Sequence, residues 1–437
     1  MGEDAELDDL PGANPSRAQR AKLLSGAALV VVAVAAVLYA RPALPTGAPA
    51  PAPAPRFQLD AVDFVSPTTG WVLEDLDDFE FAVLATTDGG RHWKPQLLEP
   101  TVLQGEYMRF FDARHGVVAT VGGEPFVYAT ADGGATWRRD VVYDPNSFGI
   151  SASFADPLHG WELIGVGPDV PLASPVLVRT ADGGRTWTRL GAVPAKAQPF
   201  AVAFSDDRHG WLDTVSHSPV AYATDDAGAT WHAVSLPKPR DGWPVPNGVF
   251  FVALRPTAQD GVVASVVNSV AVSGRNPGLD VLAYPPLTVR TFDGGAPVEY
   301  EYGTLVDTPF SGVTTANRPG INGGSLQAAN QTVMRSTDGG DSWTVVTPPS
   351  PGGTLGFAGP RDWWWIGPNV LSTTHDGGLS WTQVQSIDLP QPSSGSLVVL
   401  DPEHAWVTGT ARGSTLLYTT VDGGAHWTAV ALPSLNL

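Results

Sequence analysis

Seven aspartates in this chain share one local setting, and a carboxylate repeated in this way is the first place to look for chemistry. Asp88, Asp132, Asp182, Asp226, Asp338, Asp376 and Asp422 each stand two residues after a Ser or Thr and five residues before a tryptophan: Trp93, Trp137, Trp187, Trp231, Trp343, Trp381 and Trp427. A carboxylate in a glycine turn can ligate calcium or act as a general acid or base. Calcium, however, needs several oxygen ligands in one short loop. Each turn offers one such carboxylate, whose lone pairs amides two or three residues on can claim. The spacing assigns these aspartates and tryptophans to structure and implies no metal and no cofactor. His115, His159, His209 and His404 occupy one equivalent point of a second repeat, so they are spread through the fold instead of converging as zinc ligands do. The chain has no cysteine, which excludes disulfides, thiolate metal sites and thiol catalysis.

The elements that hold these residues are short strands. Complete eight-residue copies run TTDGGRHW (86–93), TADGGATW (130–137), TADGGRTW (180–187), TDDAGATW (224–231), STDGGDSW (336–343), THDGGLSW (374–381) and TVDGGAHW (420–427), called boxes below. An altered copy, TFDGGAPV (291–298), lacks the tryptophan. Each box lies between apolar or β-branched runs, which reads as a hairpin turn whose glycines take positive φ and whose tryptophan covers the turn. The pattern S/T-x-D-x-G-x-x-W resembles the Asp-box (BNR) repeat of sialidase-like β-propellers, sortilin-type receptors and, most of all, Ycf48-like photosystem assembly factors. The resemblance covers 57–437. It implies an all-β propeller of four-stranded antiparallel blades, but it implies no single function, because hydrolases, receptors and assembly factors share the turn.

A second device precedes most boxes: FVSPTTGW (64–71), FADPLHGW (154–161), FSDDRHGW (204–211) and VLDPEHAW (399–406), with variants at 110–117 and 357–364. Strand, turn, strand, loop, strand, box, strand matches one blade. The interval from Asp226 to Asp338 is out of line with the others. Val249 to Ser273 reads as two strands of a blade, and Asp280 to Phe292 with Val298 to Val306 reads as the other two. Seven blades with an elaborated fifth are favoured, and eight is the alternative.

Ahead of the propeller, residues 1–22 are polar and read as a disordered tail. Leu23 to Ala40 carries no charge, and as a helix it would span about 27 Å, enough for one membrane crossing. Arg17, Arg20 and Lys22 flank its amino-terminal end, which places the tail inside and the propeller outside the cytoplasmic membrane of a bacterium. A cleaved signal peptide, giving a secreted protein, is the competing reading. Residues 41–56, with proline at alternate positions from Pro49 to Pro55, form a stalk of roughly 50 Å in the polyproline conformation.

The net charge of −19 argues against a nucleic-acid partner. A sialidase would need an arginine clamp, a Tyr with a partner Glu, and an acid. The amino-terminal Phe/Tyr-Arg-Ile-Pro motif of that family is absent. Glu299-Tyr300-Glu301-Tyr302 reads as an exposed edge strand, because neighbours on a strand point to opposite faces. The expectation is a non-catalytic scaffold that engages a protein partner at or outside the membrane. A sialidase-like glycoside hydrolase or carbohydrate-binding propeller is the alternative, to be distinguished by arginines or facing carboxylates in the central pocket. The two repeated turns should share one face. Binding is then assigned to the other, with Glu74, Asp75, Asp77, Asp78 and Glu80 in one acidic loop and Lys238, Arg240 and Trp243 in the connection after the fourth box.

Overall fold

The computed structural model describes residues 57–433 apart from 77–79, 101–105, 122–123, 145–146, 167–174, 195–198, 217, 240–248, 257–261, 274–279, 284–287, 294–295, 302–325, 329–330, 339, 351–352, 368, 387–391 and 412–413. Every regular element among them is a strand. The strands make seven antiparallel four-stranded blades, at 57–100, 106–141, 147–192, 199–235, 249–346, 353–384 and 392–430. In each blade the first strand packs beside the first strand of a neighbour, around the central axis. The sequence follows this layering. Second strands such as Gly116–Thr120 (GVVAT) and Trp363–Gly367 (WWWIG) are buried throughout, whereas fourth strands such as Arg138–Val141 (RRDV) and His232–Ser235 (HAVS) meet solvent at the rim.

Blades are joined by an aromatic relay. At three joints the tryptophan in the second position of a second strand lies flat on the phenylalanine that ends the first strand of the next blade. Trp71 stacks on Phe110 with ring centroids 3.5 Å apart, and Trp161 on Phe204 at 3.6 Å. First-strand phenylalanines also meet the box tryptophan of their own blade edge-on, as Phe110 meets Trp137 at 6.0 Å and Phe154 meets Trp187 at 6.1 Å. The glycine before the second-strand tryptophan makes the room, since a Cβ on Gly160 would collide with the Phe154 ring. The same contact closes the ring. Trp406 of blade seven stacks on Phe64 of blade one at 3.7 Å, and Leu59, Val62, Val72 and Ala82 pack with Val398, Leu417 and Val430 in one core.

Blade five corrects the sequence reading. Its first two strands are Val249–Pro256 and Val262–Ser273, but the third and fourth are Gln331–Ser336 and Thr344–Val346, on either side of the box at Asp338. The altered copy at 291–298 is not a box. Thr288–Asp293 pairs with Ala296–Glu301, with Asp293 opposite Ala296 inside the ladder, whereas a true box aspartate stands two residues beyond its strand. Glu299, Tyr300 and Glu301 belong to this separate two-stranded pair. Within the same insertion, Leu326–Ala328 pairs with the first strand of blade six. The remaining long-range join is between blades four and five, where Thr214–Ser216 pairs with Phe250–Val252. The tail 1–22, the apolar run 23–40 and the stalk 41–56 lie outside the described residues. Among the described residues no helix is long and apolar enough to cross a membrane.

Candidate functional site

All seven boxes are wired alike. In the first, the Thr86 hydroxyl donates to Asp88 Oδ1 at 3.0 Å and accepts from Gly90 N at 2.9 Å, and Asp88 Oδ1 accepts from His92 N at 2.9 Å. An amide four residues on is the partner in every box, and the amides expected three residues on add to it at Asp182, Asp226 and Asp376. The other carboxylate oxygen takes a side chain from that fourth residue: the His92 or His426 ring at 2.6 Å, or a Thr or Ser hydroxyl from Thr136, Thr186, Thr230, Ser342 or Ser380. These bonds favour the ionised form. The ring and amide of His92 hold Asp88 down to about 2, and the hydroxyls of Ser336 and Ser342 hold Asp338 at about 2. The second glycine is doubly constrained. Gly184 has φ +87, and a Cβ on it would stand 2.9 Å from Val127 Cγ1 of the preceding blade.

The turns carrying the four histidines are also closed upon themselves. Asp112 Oδ1 accepts from Arg114 N at 2.7 Å and His115 N at 2.8 Å, and the His115 ring lies 2.9 Å from Asp112 Oδ2. Asp156 with His159, Asp206 with His209 and Asp401 with His404 repeat the arrangement. The two kinds of turn meet. Gly89 N donates to Thr68 O at 2.9 Å, Gly133 N to Arg114 O at 2.8 Å and Gly183 N to Leu158 O at 3.0 Å, and blades four, six and seven do likewise. Both repeats therefore occupy one face, and the strand ends that lead to the second-to-third loops and to the next blade lie at the other.

Several boxes also anchor the blade before them. Gln96 Nε2 donates to Gly133 O at 2.9 Å, Trp161 Nε1 to Ala227 O at 2.8 Å, Arg335 to Gly377 O at 3.1 Å, and Ser386 to Gly424 O at 2.6 Å. Nearer the axis, Asp63 accepts from Phe110 N at 2.6 Å, Arg109 donates to Phe154 O, and Ser153 accepts from Phe204 N at 3.0 Å. Between blades four and five, buried Asp213 meets Arg255 at 2.9 Å. Among the described first-strand side chains the arginines are therefore Arg109 and Arg255, on different blades, and both serve inter-blade contacts. Sequence reasoning passed over these links. The hydroxyl or histidine that follows each box aspartate by four was a legible signal, whereas the inter-blade partners carry no local one.

The residues assigned to binding are only partly brought together. The acidic loop is shorter than expected, because the second strand of blade one continues to Leu76 and the third begins at Glu80. Glu74 is not in a loop at all. It lies on the strand opposite Leu59 and Ala82, it is buried, and burial pushes its carboxyl up to about 7. Asp75 belongs to the same strand, and Glu80 is half-buried at the start of the next. Lys238 is exposed beyond the fourth strand of blade four. Asp77, Asp78, Arg240 and Trp243 lie outside the described residues. The described residues contain no group of three or more His, Cys, Asp or Glu arranged to hold a metal.

No protein-family model matches the chain, and neither does any curated protein. Solved structures do. YCF48 bound to D1 peptide is 20% identical, with 72% of this chain and 92% of that one covered and a TM-score of 0.32. The GH74 xyloglucanase of Xanthomonas campestris is 14% identical over 86% and 73%, with a TM-score of 0.35. The Cps50 (Swd1) propeller domain of Myceliophteria thermophila is 12% identical over 83% and 96%, with a TM-score of 0.41. At such identities and scores none of their activities carries over to this chain.

Proposed function

We propose that this protein is a membrane-anchored, extracytoplasmic propeller that binds another protein and serves as an assembly scaffold. One observation carries the reading: the repeated polar groups of the box face are tied into their own turns. The carboxylate of every box and the ring of each of the four turn histidines has a partner within its turn. What differs from blade to blade is the opposite face, where the fifth-blade insertion leaves between second and third strands. Variable loops on a repeated scaffold are the usual seat of recognition. Anchoring rests on the uncharged run 23–40 and its basic flank.

The test is capture of a partner by the full-length chain from membranes of its own source. Replacing Trp243 and Arg240 together by alanine is expected to weaken capture at unchanged thermal stability. Replacing Arg114 and Arg208, whose Nε atoms reach Ala131 O and Asp225 O on the box face, is expected to leave it intact. The reverse pattern would move binding to the box face and overturn the assignment.

A further inference from the structure

One ionisable side chain sits deep between two blades with nothing to offset its charge. Glu162 is on the second strand of blade three (Gly160–Val166), opposite Ala152 and Val178, and is 0% exposed. Trp161 and Leu163 on either side pack toward blade four, while Ile164, on the same face as Glu162, packs toward blade two. Neither carboxyl oxygen of Glu162 accepts a hydrogen bond from a described residue. Gly149 marks its position. A Cβ there would stand 2.6 Å from the carbonyl oxygen of Thr120 in blade two and 2.7 Å from Glu162 Oε1, so both oxygens border the space beside Gly149.

A charged carboxylate beside a carbonyl oxygen in an apolar gap is repelled, whereas a neutral carboxyl can donate its proton to that oxygen. The other groups facing this interface are already engaged. Tyr107 accepts from Phe154 N at 3.1 Å, and Arg109 donates to Phe154 O. Arg179, on the strand beside Glu162, lies 5.4 Å over the Trp161 ring on the opposite face of the blade. The Thr120 hydroxyl donates to Glu124 O and accepts from Phe126 N, both at 2.8 Å, and Glu124 itself is exposed. Burial alone pushes the Glu162 carboxyl well above the usual range.

We propose that Glu162 is a proton-dependent latch between blades two and three: as a carboxylic acid it donates to the Thr120 carbonyl and seals the interface, and when the proton leaves to water the two blades separate there. A group held protonated in the folded state contributes stability that is complete at low pH and is lost as pH rises through its folded value. The latch thus loosens toward the alkaline side.

The test uses the full-length chain with Glu74→Gln as the background, which removes a second buried acid that burial raises, whereas buried Asp213 is paired with Arg255 in every variant. Melting temperature followed from about pH 5 to about pH 9 should fall on the alkaline side in this background and stay flat there once Glu162→Gln is added, because an amide donates at every pH. An unchanged alkaline fall in the double variant overturns the latch. Should the double variant fail to fold, infrared spectra of the Glu74→Gln chain decide. The carbonyl stretch of a protonated carboxyl should persist at neutral pH and vanish on alkaline titration, together with protection of the amides at 117–121 and 149–152 from hydrogen exchange. Absence of that stretch at neutral pH refutes the proposal.

Discussion

Truncating Trp406 tests how this ring is closed. Among the described residues no strand of blade one pairs with blade seven, and closure there rests on packing, with Trp406 flat on Phe64 at 3.7 Å and an interplanar angle of 8°. Trp406 is 1% exposed, and its Nε1 has no partner among the described residues, so Trp406→Ala removes packing without leaving an acceptor orphaned. A fully buried tryptophan costs about 3–5 kcal/mol on truncation, of which the stacked pair accounts for about 1. Trp187 supplies the comparison. It is half-buried, meets Phe154 edge-on and donates to Gly184 O at 3.1 Å, so Trp187→Ala should cost about 2 kcal/mol. Urea unfolding followed by circular dichroism gives both values. Hydrogen exchange of Trp406→Ala should in addition show early opening confined to 57–100 and 392–430. A Trp406→Ala cost no larger than that of Trp187→Ala, or exchange accelerated evenly around the ring, would refute closure by this contact.

Other outcomes follow from the turns and the amino terminus. Box aspartates held low in the folded state contribute stability that is complete above about pH 4 and is lost as pH falls through about 2; Asp338→Asn should therefore shallow the acid limb of a melting-temperature profile, and an unaltered limb would contradict the wiring. The fourth box has Ala227 where the others have glycine, at φ 64, so Ala227→Gly should raise stability by roughly 0.5–1 kcal/mol in the same urea assay, and a loss would show that the strain is not there. Protease added to intact spheroplasts is expected to degrade the chain beyond residue 57 and spare the tail, whereas a mature protein beginning after residue 40 would reveal a cleaved signal.

Much of this architecture was legible because the repeat is local. A box is closed by residues within seven positions of one another, so Thr86, Asp88 and Trp93 announce it in the sequence, and seven boxes correspond to seven blades. The same locality explains the errors. The acidic run at 74–80 reads as a loop until the pairing of Glu74 with Ala82 and of Leu76 with Glu80 is known, and that pairing depends on the neighbouring strand. In blade five, an insertion with strand-like runs of its own displaced the assignment of the third and fourth strands, although the box at Asp338 already marked their true place. Glu162, Arg109 and the Asp213–Arg255 pair were invisible because their partners come from another blade, more than forty residues away for the last two. The placement of binding on the face opposite the boxes rests on loop variation, a signal of position and not of chemistry.

Photo-crosslinking in native membranes tests the central claim most directly. A crosslinking residue is placed in turn at Glu80 and Lys238 on the face opposite the boxes, and at Arg91 and Arg185 within boxes, in the full-length chain. The account predicts one discrete protein adduct from Glu80 and Lys238 and none from Arg91 and Arg185. The same adduct formed from the box positions, with none from Glu80 or Lys238, would contradict it.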